Sequence, residues 1–242
     1  MSYLLRCAIW AVLAGIPAFA AMQRAQYAGT LGQSRIGMTI EVGMGEAARG
    51  HYFYQKYLTD IPLSVSQNAG SLTLKEQGGG TFHLHFKGNG SEGSEPLYFK
   101  NSVGLEGTWT SANGTQTFPV SLALQTVIPG MEGERRYAYV TKESDAAFET
   151  RVQAFYRAVM AGDRAAAAKY VSYPLRVNGK TQKTLKTPAE FVAAWDTIFI
   201  PAYLARLSKD LPHDMFVHEG MAMLGDGDVW FDDKGAAALN VP

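Results

Sequence analysis

TPAEFVAAWDTIFIPAYLARLSKDLPHDMFVHEGMAMLGDGDVWFDDKGAAALN, residues 187–240, is the stretch that decides the fold of this chain. Thr187 can accept a hydrogen bond from the first turn of a helix, and Pro188 has no N–H that this turn would leave unpaired. Glu190 can reach back to the Thr187 amide, which predicts a capping box. The following apolar residues share one helical face because they recur at three- and four-residue spacing: Phe191, Ala194, Trp195, Ile198 and Phe199.

The rest of this stretch predicts a second helix and then short strands. Pro201 ends the first helix, and Tyr203, Leu204 and Leu207 indicate another. After Pro212 the apolar spacing changes to short β-runs, separated by turn residues at 225–228 and 232–235. Helices followed by an antiparallel meander predict an α+β fold with the helices packed on one face of the sheet.

The first twenty residues have the pattern of an export signal. A start with one cation, Arg6, precedes an apolar run from Cys7 to Phe19 and a small-x-small site that ends at Ala20. This pattern predicts a signal peptide over 1–20 and a periplasmic or secreted mature chain. The alternative is a membrane anchor, but the run is shorter than the roughly 20 residues of a span and contains Gly15 and Pro17. We therefore expect no membrane-spanning segment after cleavage.

Charge and cysteine content exclude several classes of function. The chain of 242 residues has 22 Lys+Arg and 22 Asp+Glu, and no basic stripe stands out, so we expect no nucleic-acid partner. The single cysteine, Cys7, lies in the predicted signal. The mature chain is thus predicted to have no disulfide, no thiol nucleophile and no cysteine-ligated metal.

Residues 21–141 are predicted to form an antiparallel β domain, a barrel or a sandwich, that ends in a linker. Short alternating runs are separated by turn chemistry, as at 78–80 and at Asn113-Gly114. The runs 61–64, 72–74, 105–109 and 119–122 resemble a small calycin-like or open β-barrel module of uncharacterised bacterial envelope proteins. The pattern dissolves over 127–141, which we interpret as the linker.

Residues 142–242 are predicted to form a second domain. A helix with an apolar stripe ends at Gly162-Asp163, an alanine-rich helix follows, and Tyr173-Pro174-Leu175 leads to the capped helix and the meander. This order resembles the NTF2-like (SnoaL-like) α+β cone, and residues 220–231 are similar to the glycine-spaced Trp-Phe ending of certain envelope proteins. The resemblance implies a pocket between helices and a bent sheet. Four candidates for ligand contacts there are Tyr156, Trp195, Asp196 and Trp230.

Candidate catalytic residues gather where the meander begins. His213, His218 and Glu219 lie there, and a histidine beside a carboxylate can act as a general base. The alternative is a structural role, because neighbouring residues on a strand point to opposite faces. Asp196 falls off the apolar stripe of its helix, so it can equally be a solvated carboxylate.

A metal site is not expected. His83 and His85 share one face of a predicted strand and are the best metal candidates, but two imidazoles need a third ligand and an exposed polar face explains them equally well. The carboxylates at 226–233 do not have the spacing of an EF-hand loop. We expect no cofactor.

These observations favour an exported envelope protein that binds a protein partner or a small ligand, in one version as an inhibitor or immunity-type protein. No catalytic sequence motif is present. The alternative is an NTF2-like isomerase or hydrolase that uses a pocket histidine. A third hypothesis is a structural component that forms a homodimer.

Overall fold

The computed structural model describes residues 22–43, 46–68, 70–90, 96–130 and 135–242, so the predicted signal peptide lies outside the described residues. The first part consists of eight strands: β1 Met22–Leu31, β2 Ser34–Gly43, β3 Glu46–Tyr54, β4 Ile61–Asn68, β5 Ser71–Glu76, β6 Thr81–Lys87, β7 Gly104–Thr110 and β8 Thr117–Gly130. The second part adds helices α1 Asp145–Met160, α2 Arg164–Ala168, α3 Pro188–Ile198 and α4 Pro201–Leu207, with strands β9 Val171–Asn178, β10 Lys183–Leu185, β11 Phe216–His218, β12 Met221–Leu224, β13 Val229–Phe231 and β14 Ala236–Asn240.

The first eight strands form a closed antiparallel barrel in sequence order. Strand β8 returns to pair with β1, from Met22 opposite Gly130 to Leu31 opposite Val120. Closure pairs the backbone groups of both outer strands and leaves the sheet no open edge. Of the two predicted architectures, the barrel is confirmed and the sandwich is wrong.

Alternating side chains fill the barrel. In β5 and β6 the residues Leu72, Leu74, Phe82, Leu84 and Phe86 are buried, while the residues between them face outward. The inward positions of the other strands contribute a continuous apolar cluster, which is the core of this part. Two predicted turns are confirmed, at 77–80 and at Gly114, where a positive φ of 70° suits glycine.

Barrel closure depends on a close approach of β1 and β8 at Gly29. A Cβ atom there would lie 1.9 Å from the Ser121 carbonyl oxygen, so Gly29→Ala must push the two strands apart. We expect a loss of about 1–3 kcal/mol in the free energy of unfolding, measured by urea denaturation. Gly78→Ala is the matched control, because a Cβ there meets nothing within 4 Å. Equal stability of the two variants would contradict the close-packing argument.

The second part has a six-stranded mixed sheet with the order β10-β9-β14-β13-β12-β11. The predicted antiparallel meander is present as β11 to β14, and β9 joins it in parallel beside β14. The helices pack on one face of this sheet over residues such as Leu175, Val229 and Phe231. The α+β fold class is therefore confirmed at the level of a barrel followed by helices on a mixed sheet.

The start of α3 follows the prediction in all but one bond. The Thr187 hydroxyl accepts from the Glu190 amide at 3.2 Å, and Pro188 occupies the first turn. The Glu190 carboxylate, however, accepts from the Lys186 amide at 2.8 Å, one residue before the predicted Thr187. The side chain therefore closes the turn that leads into the helix.

The predicted linker over 127–141 is partly wrong. Strand β8 continues to Gly130, because its pairing with β1 holds to the end. Beyond the undescribed residues 131–134, the largely buried Arg136 side chain reaches from the second part to the barrel, and Tyr137 packs in the core of the second part. Among the described helices none is long and apolar enough to cross a membrane.

Candidate functional site

A cluster of charged side chains lies where the barrel meets the second part. At its centre the Arg136 guanidinium contacts three carboxylates: Nε lies 2.8 Å from Asp214, Nη1 lies 2.6 Å from Glu149, and Nη2 lies 2.7 Å from Asp60. Asp60 precedes β4 in the barrel, Glu149 lies on α1, and Asp214 precedes β11. One side chain thus joins three separate segments of the chain. We call these groups, together with His213 and His51, the junction cluster.

His213 bridges two of these carboxylates. Its Nε2 lies 2.7 Å from Asp60 and its Nδ1 lies 2.6 Å from Glu149, and the imidazole is almost completely buried. The Phe53 ring of the barrel packs edge-on against it, with the ring centres 4.3 Å apart. Nε2 hydrogen-bonds to Asp60, whereas Nδ1 makes a close ion-pair contact with Glu149, so each ring nitrogen faces a carboxylate as in an imidazolium.

Three barrel side chains bind Asp214 from the other side. The Thr39 hydroxyl donates to the Asp214 carboxylate, and the Gln26 amide donates to the Asp214 carbonyl at 2.8 Å. His51 Nε2 lies 3.5 Å from Asp214 and 3.0 Å from Arg136 Nη2. Asp214 adopts a positive φ of 50°, which is unusual for a residue other than glycine. These barrel contacts hold it in that conformation.

Tyr137 and Glu149 connect the cluster to the hydrophobic core. The fully buried Tyr137 hydroxyl donates to Glu149 at 2.7 Å and accepts from the Met215 amide at 2.9 Å. Glu149 also accepts from the Asp214 amide at 2.9 Å. A buried carboxylate is tolerated only when its acceptor positions are filled, and here Arg136, His213, Tyr137 and a backbone amide fill those of Glu149.

The pKa values follow from burial opposed by these contacts. Burial alone lowers the pKa of His213, but its hydrogen bonds to Asp60 and Glu149 raise the pKa to about 9. Burial raises the pKa of Asp60, yet His213, His51 and Arg136 together lower it to about 2. The pKa values of Glu149 and Asp214 are likewise lowered, against burial, by His213 and Arg136 respectively. At neutral pH the carboxylates and His213 are therefore all charged.

A cleft of about 360 Å³ leads to one side of the junction cluster. His213, Glu149 and Asp60 form part of its lining. The remaining lining comes from the 57–59 loop and from the first turns of α1, and it includes Leu58, whose φ of 52° is also positive. The predicted catalytic candidate His213 thus lies at a cleft between the two parts of the molecule.

The other two catalytic candidates lie elsewhere. His218 and Glu219 are exposed at the end of β11, with His218 Nε2 3.7 Å from the Glu219 carboxylate. The expectation that these neighbours point apart is wrong, because the strand ends at His218 and Glu219 enters a turn with a φ of 48°. They line a groove of about 230 Å³ on the sheet face away from the helices, together with Trp230.

The remaining ligand candidates have structural contacts. Trp195 is buried against the Phe191 and Phe199 rings, so its indole belongs to the core. Asp196 is exposed and forms a two-point ion pair with Arg164, at 2.6 and 2.9 Å. The Tyr156 hydroxyl donates to the Leu207 carbonyl at 3.0 Å.

Among the described residues, no third ligand lies beside the histidines proposed as metal ligands. His83 and His85 are exposed on the outer face of β6, and His83 Nδ1 lies 3.5 Å from the Thr73 hydroxyl. Within the described ranges, no three His, Cys, Asp or Glu side chains are arranged to hold a metal ion.

One carboxyl outside the junction cluster titrates near neutral pH. Burial, with the nearby charge of Asp226, raises the pKa of Asp210 to about 6, against the opposing effect of Arg206. Arg206 also forms an ion pair with Asp228. Asp210 lies beside the turn at Gly225, where a Cβ atom would overlap its carboxyl group.

The sequence predicts one member of the junction cluster, His213, as a catalytic candidate, and it does not predict the other members as site residues. Arg136 lies in the segment that we interpret as a linker, and Asp60 lies in a loop. Only Glu149 has a sequence signal for burial. It follows Phe148, which belongs to the apolar stripe of α1, and both residues are buried. Comparison with protein-family models, with curated proteins and with solved structures finds no match.

Proposed function

We propose that this chain is an exported protein of the bacterial envelope that binds a protein partner or a small ligand, and that it does not use a histidine as a general base. Within this proposal the partner can be an enzyme that it inhibits, as in an inhibitor or immunity-type protein. The barrel belongs with calycin-like modules and residues 142–242 belong with the NTF2-like cone. The residue order quoted for each resemblance supports this assignment.

The observation that carries the proposal is the state of His213. A general base needs a free ring nitrogen that can accept a proton at the working pH. Both nitrogens of His213 face carboxylates within 2.7 Å, and those carboxylates raise its pKa to about 9. At neutral pH this residue is an imidazolium held between two carboxylates. It therefore joins the two parts of the molecule and has no proton-accepting atom to offer a substrate.

The alternative function is an NTF2-like isomerase or hydrolase. Two observations favour it: the cleft beside His213 and Glu149, and the Asp210 carboxyl, whose pKa of about 6 suits a proton donor. The sequence-predicted pair His218 and Glu219 is exposed, so water has free access to both groups.

A pull-down distinguishes these hypotheses. We expect tagged protein beginning at Ala21 to capture one stoichiometric partner from envelope extract, and His218→Ala to capture it equally well. Binding would be contradicted as the function by two results together. The protein would capture no partner, and it would convert a substrate from a panel at a rate that depends on Asp210. Asp210→Asn tests that dependence, with Asp196→Asn as the exposed control carboxylate.

We include a homodimer in the proposal, formed through the sheet face away from the helices. Half-buried apolar side chains at Phe216 and Met223 support it, since they lie opposite each other on β11 and β12, at the edge of that face. Light scattering of the purified protein over a concentration series measures its mass and tests this part.

A further inference from the structure

The groove on the outer sheet face is built around a small residue between two large ones. The strand registers place Trp230 opposite Ala238, and Ala238 opposite Arg176. Ala238 is only 3% exposed, yet it does not belong to the core under the helices. Its methyl group lines the bottom of a notch on the outer face and is itself almost completely covered. The backbones that carry the two wall side chains stand two strand spacings apart, which is about 10 Å.

The wall formed by Trp230 is an apolar surface with a free donor. The indole is half-buried on this face, and its Nε1 lies 3.5 Å from the position that a Cβ atom of Gly227 would occupy. In the part of the chain that the structure describes, no acceptor hydrogen-bonds to this N–H. A fixed aromatic ring with an exposed face can stack against the C–H face of a pyranose.

The opposite wall offers an unpaired cation. Arg176 is exposed, and among the described residues no carboxylate forms an ion pair with it. Other exposed arginines, for example Arg164, do have such a partner. A guanidinium of this kind binds a carboxylate through two parallel hydrogen bonds.

Two amides line the end of the groove in a fixed orientation. Asn178 Nδ2 donates to Asn240 Oδ1 at 2.8 Å, and Asn240 Nδ2 donates to the Gly227 carbonyl. This chain of hydrogen bonds fixes both carboxamides. It leaves the side-chain oxygen of Asn178, Oδ1, as an acceptor for a hydroxyl group. Rigid polar groups beside an aromatic wall are typical of small-molecule sites.

We propose that this groove binds a sugar that carries a carboxylate, with its ring on Trp230, its carboxylate on Arg176 and a hydroxyl group on Asn178. The inference deepens the proposed binding function by assigning the ligand class. The rim of the groove carries one acidic side chain, Glu219, and His218 Nε2 lies 3.7 Å from its carboxylate. Removing that charge with Glu219→Gln should tighten binding of the acid.

The protein is titrated with trigalacturonic acid and, separately, with its methyl ester. Tryptophan fluorescence and calorimetry measure the binding of each. The two probes differ only in the carboxylate. We expect the acid to bind at least tenfold more tightly than the ester. Trp230→Ala should lose binding of both, and Arg176→Gln should bind the acid no better than the ester. Arg164→Gln, an exposed arginine on the other side of the sheet, is the control and should bind as the parent protein does.

Ala238→Leu is a second variant that fills the notch from its floor and should lose binding while both walls remain. The urea midpoint of each variant shows whether it is folded. Equal affinity for acid and ester in the parent protein would overturn the role of Arg176. Binding that persists in folded Trp230→Ala or Ala238→Leu would overturn the site itself. Absence of any binding would overturn the inference, whereas capture of a partner protein would still support the proposed function.

Discussion

Arg136→Met should lower the free energy of unfolding at pH 7 by about 3–5 kcal/mol. Methionine keeps the length of the side chain but removes the charge that faces Asp60, Glu149 and Asp214. Glu149 and Asp214 are almost fully buried, so water cannot replace the contact that each carboxylate loses. Urea denaturation at several pH values measures the loss. It should shrink below about pH 4, where carboxyl groups take up protons more readily in the unfolded chain.

Arg164→Met is the matched control for this variant. Arg164 also forms a two-point contact with a carboxylate, but Asp196 is 75% exposed. Such pairs contribute about 0–1 kcal/mol, so the control should unfold at nearly the parental urea concentration. If Arg136→Met were as stable as this control, the junction cluster would not hold the two parts of the molecule together.

Stability should fall as the pH rises from 6.5 to 9, because of His213. Its pKa is 6.5 in an unfolded chain and about 9 in the folded protein, so the folded state binds the proton more tightly. The stabilisation is fully present below pH 6.5, declines through the interval and is absent above pH 9. The shift corresponds to a change on the order of 3 kcal/mol. Urea midpoints at pH 6, 7, 8 and 9 measure it.

His213→Gln should flatten this decline. Glutamine cannot carry the charge, so the variant should already be destabilised at pH 6 and should change little up to pH 9. His218→Gln is the control, since that imidazole is 59% exposed, and it should show the parental decline. A steep decline that persists in His213→Gln would show that another group titrates with folding.

Local rules predict the elements of this fold well. The period-two alternation of β5 and β6 places Leu72, Leu74 and Phe82 inside, because successive side chains on a strand face opposite ways. The Thr187 cap and Pro188 place the start of α3 correctly because a helix start is set by residues within one turn. Closure of the barrel is not predicted in this way, since pairing of β1 with β8 is a contact between distant segments.

The junction cluster could not be predicted for the same physical reason. Its charges come from a barrel loop, from the segment after the barrel, from α1 and from the loop before β11. Each is ordinary in its own sequence context: Asp60 reads as a loop residue and Arg136 as part of a polar linker. They become a site only when the two parts pack together. The sequence predicts Trp230 as a ligand candidate but not Arg176, because β9 lies beside β14 through a parallel pairing that the order of elements does not reveal.

The pairing of β1 with β8 also sets an order for biosynthesis. Strand β1 has to wait for β8, the last of the eight barrel strands, because β8 pairs with its second edge. Until Gly130 is synthesised, the backbone groups along β1 and β7 stay open to pairing with other nascent chains. A chaperone that shields these edges, or export of the chain before it folds, would keep neighbouring copies apart during that interval.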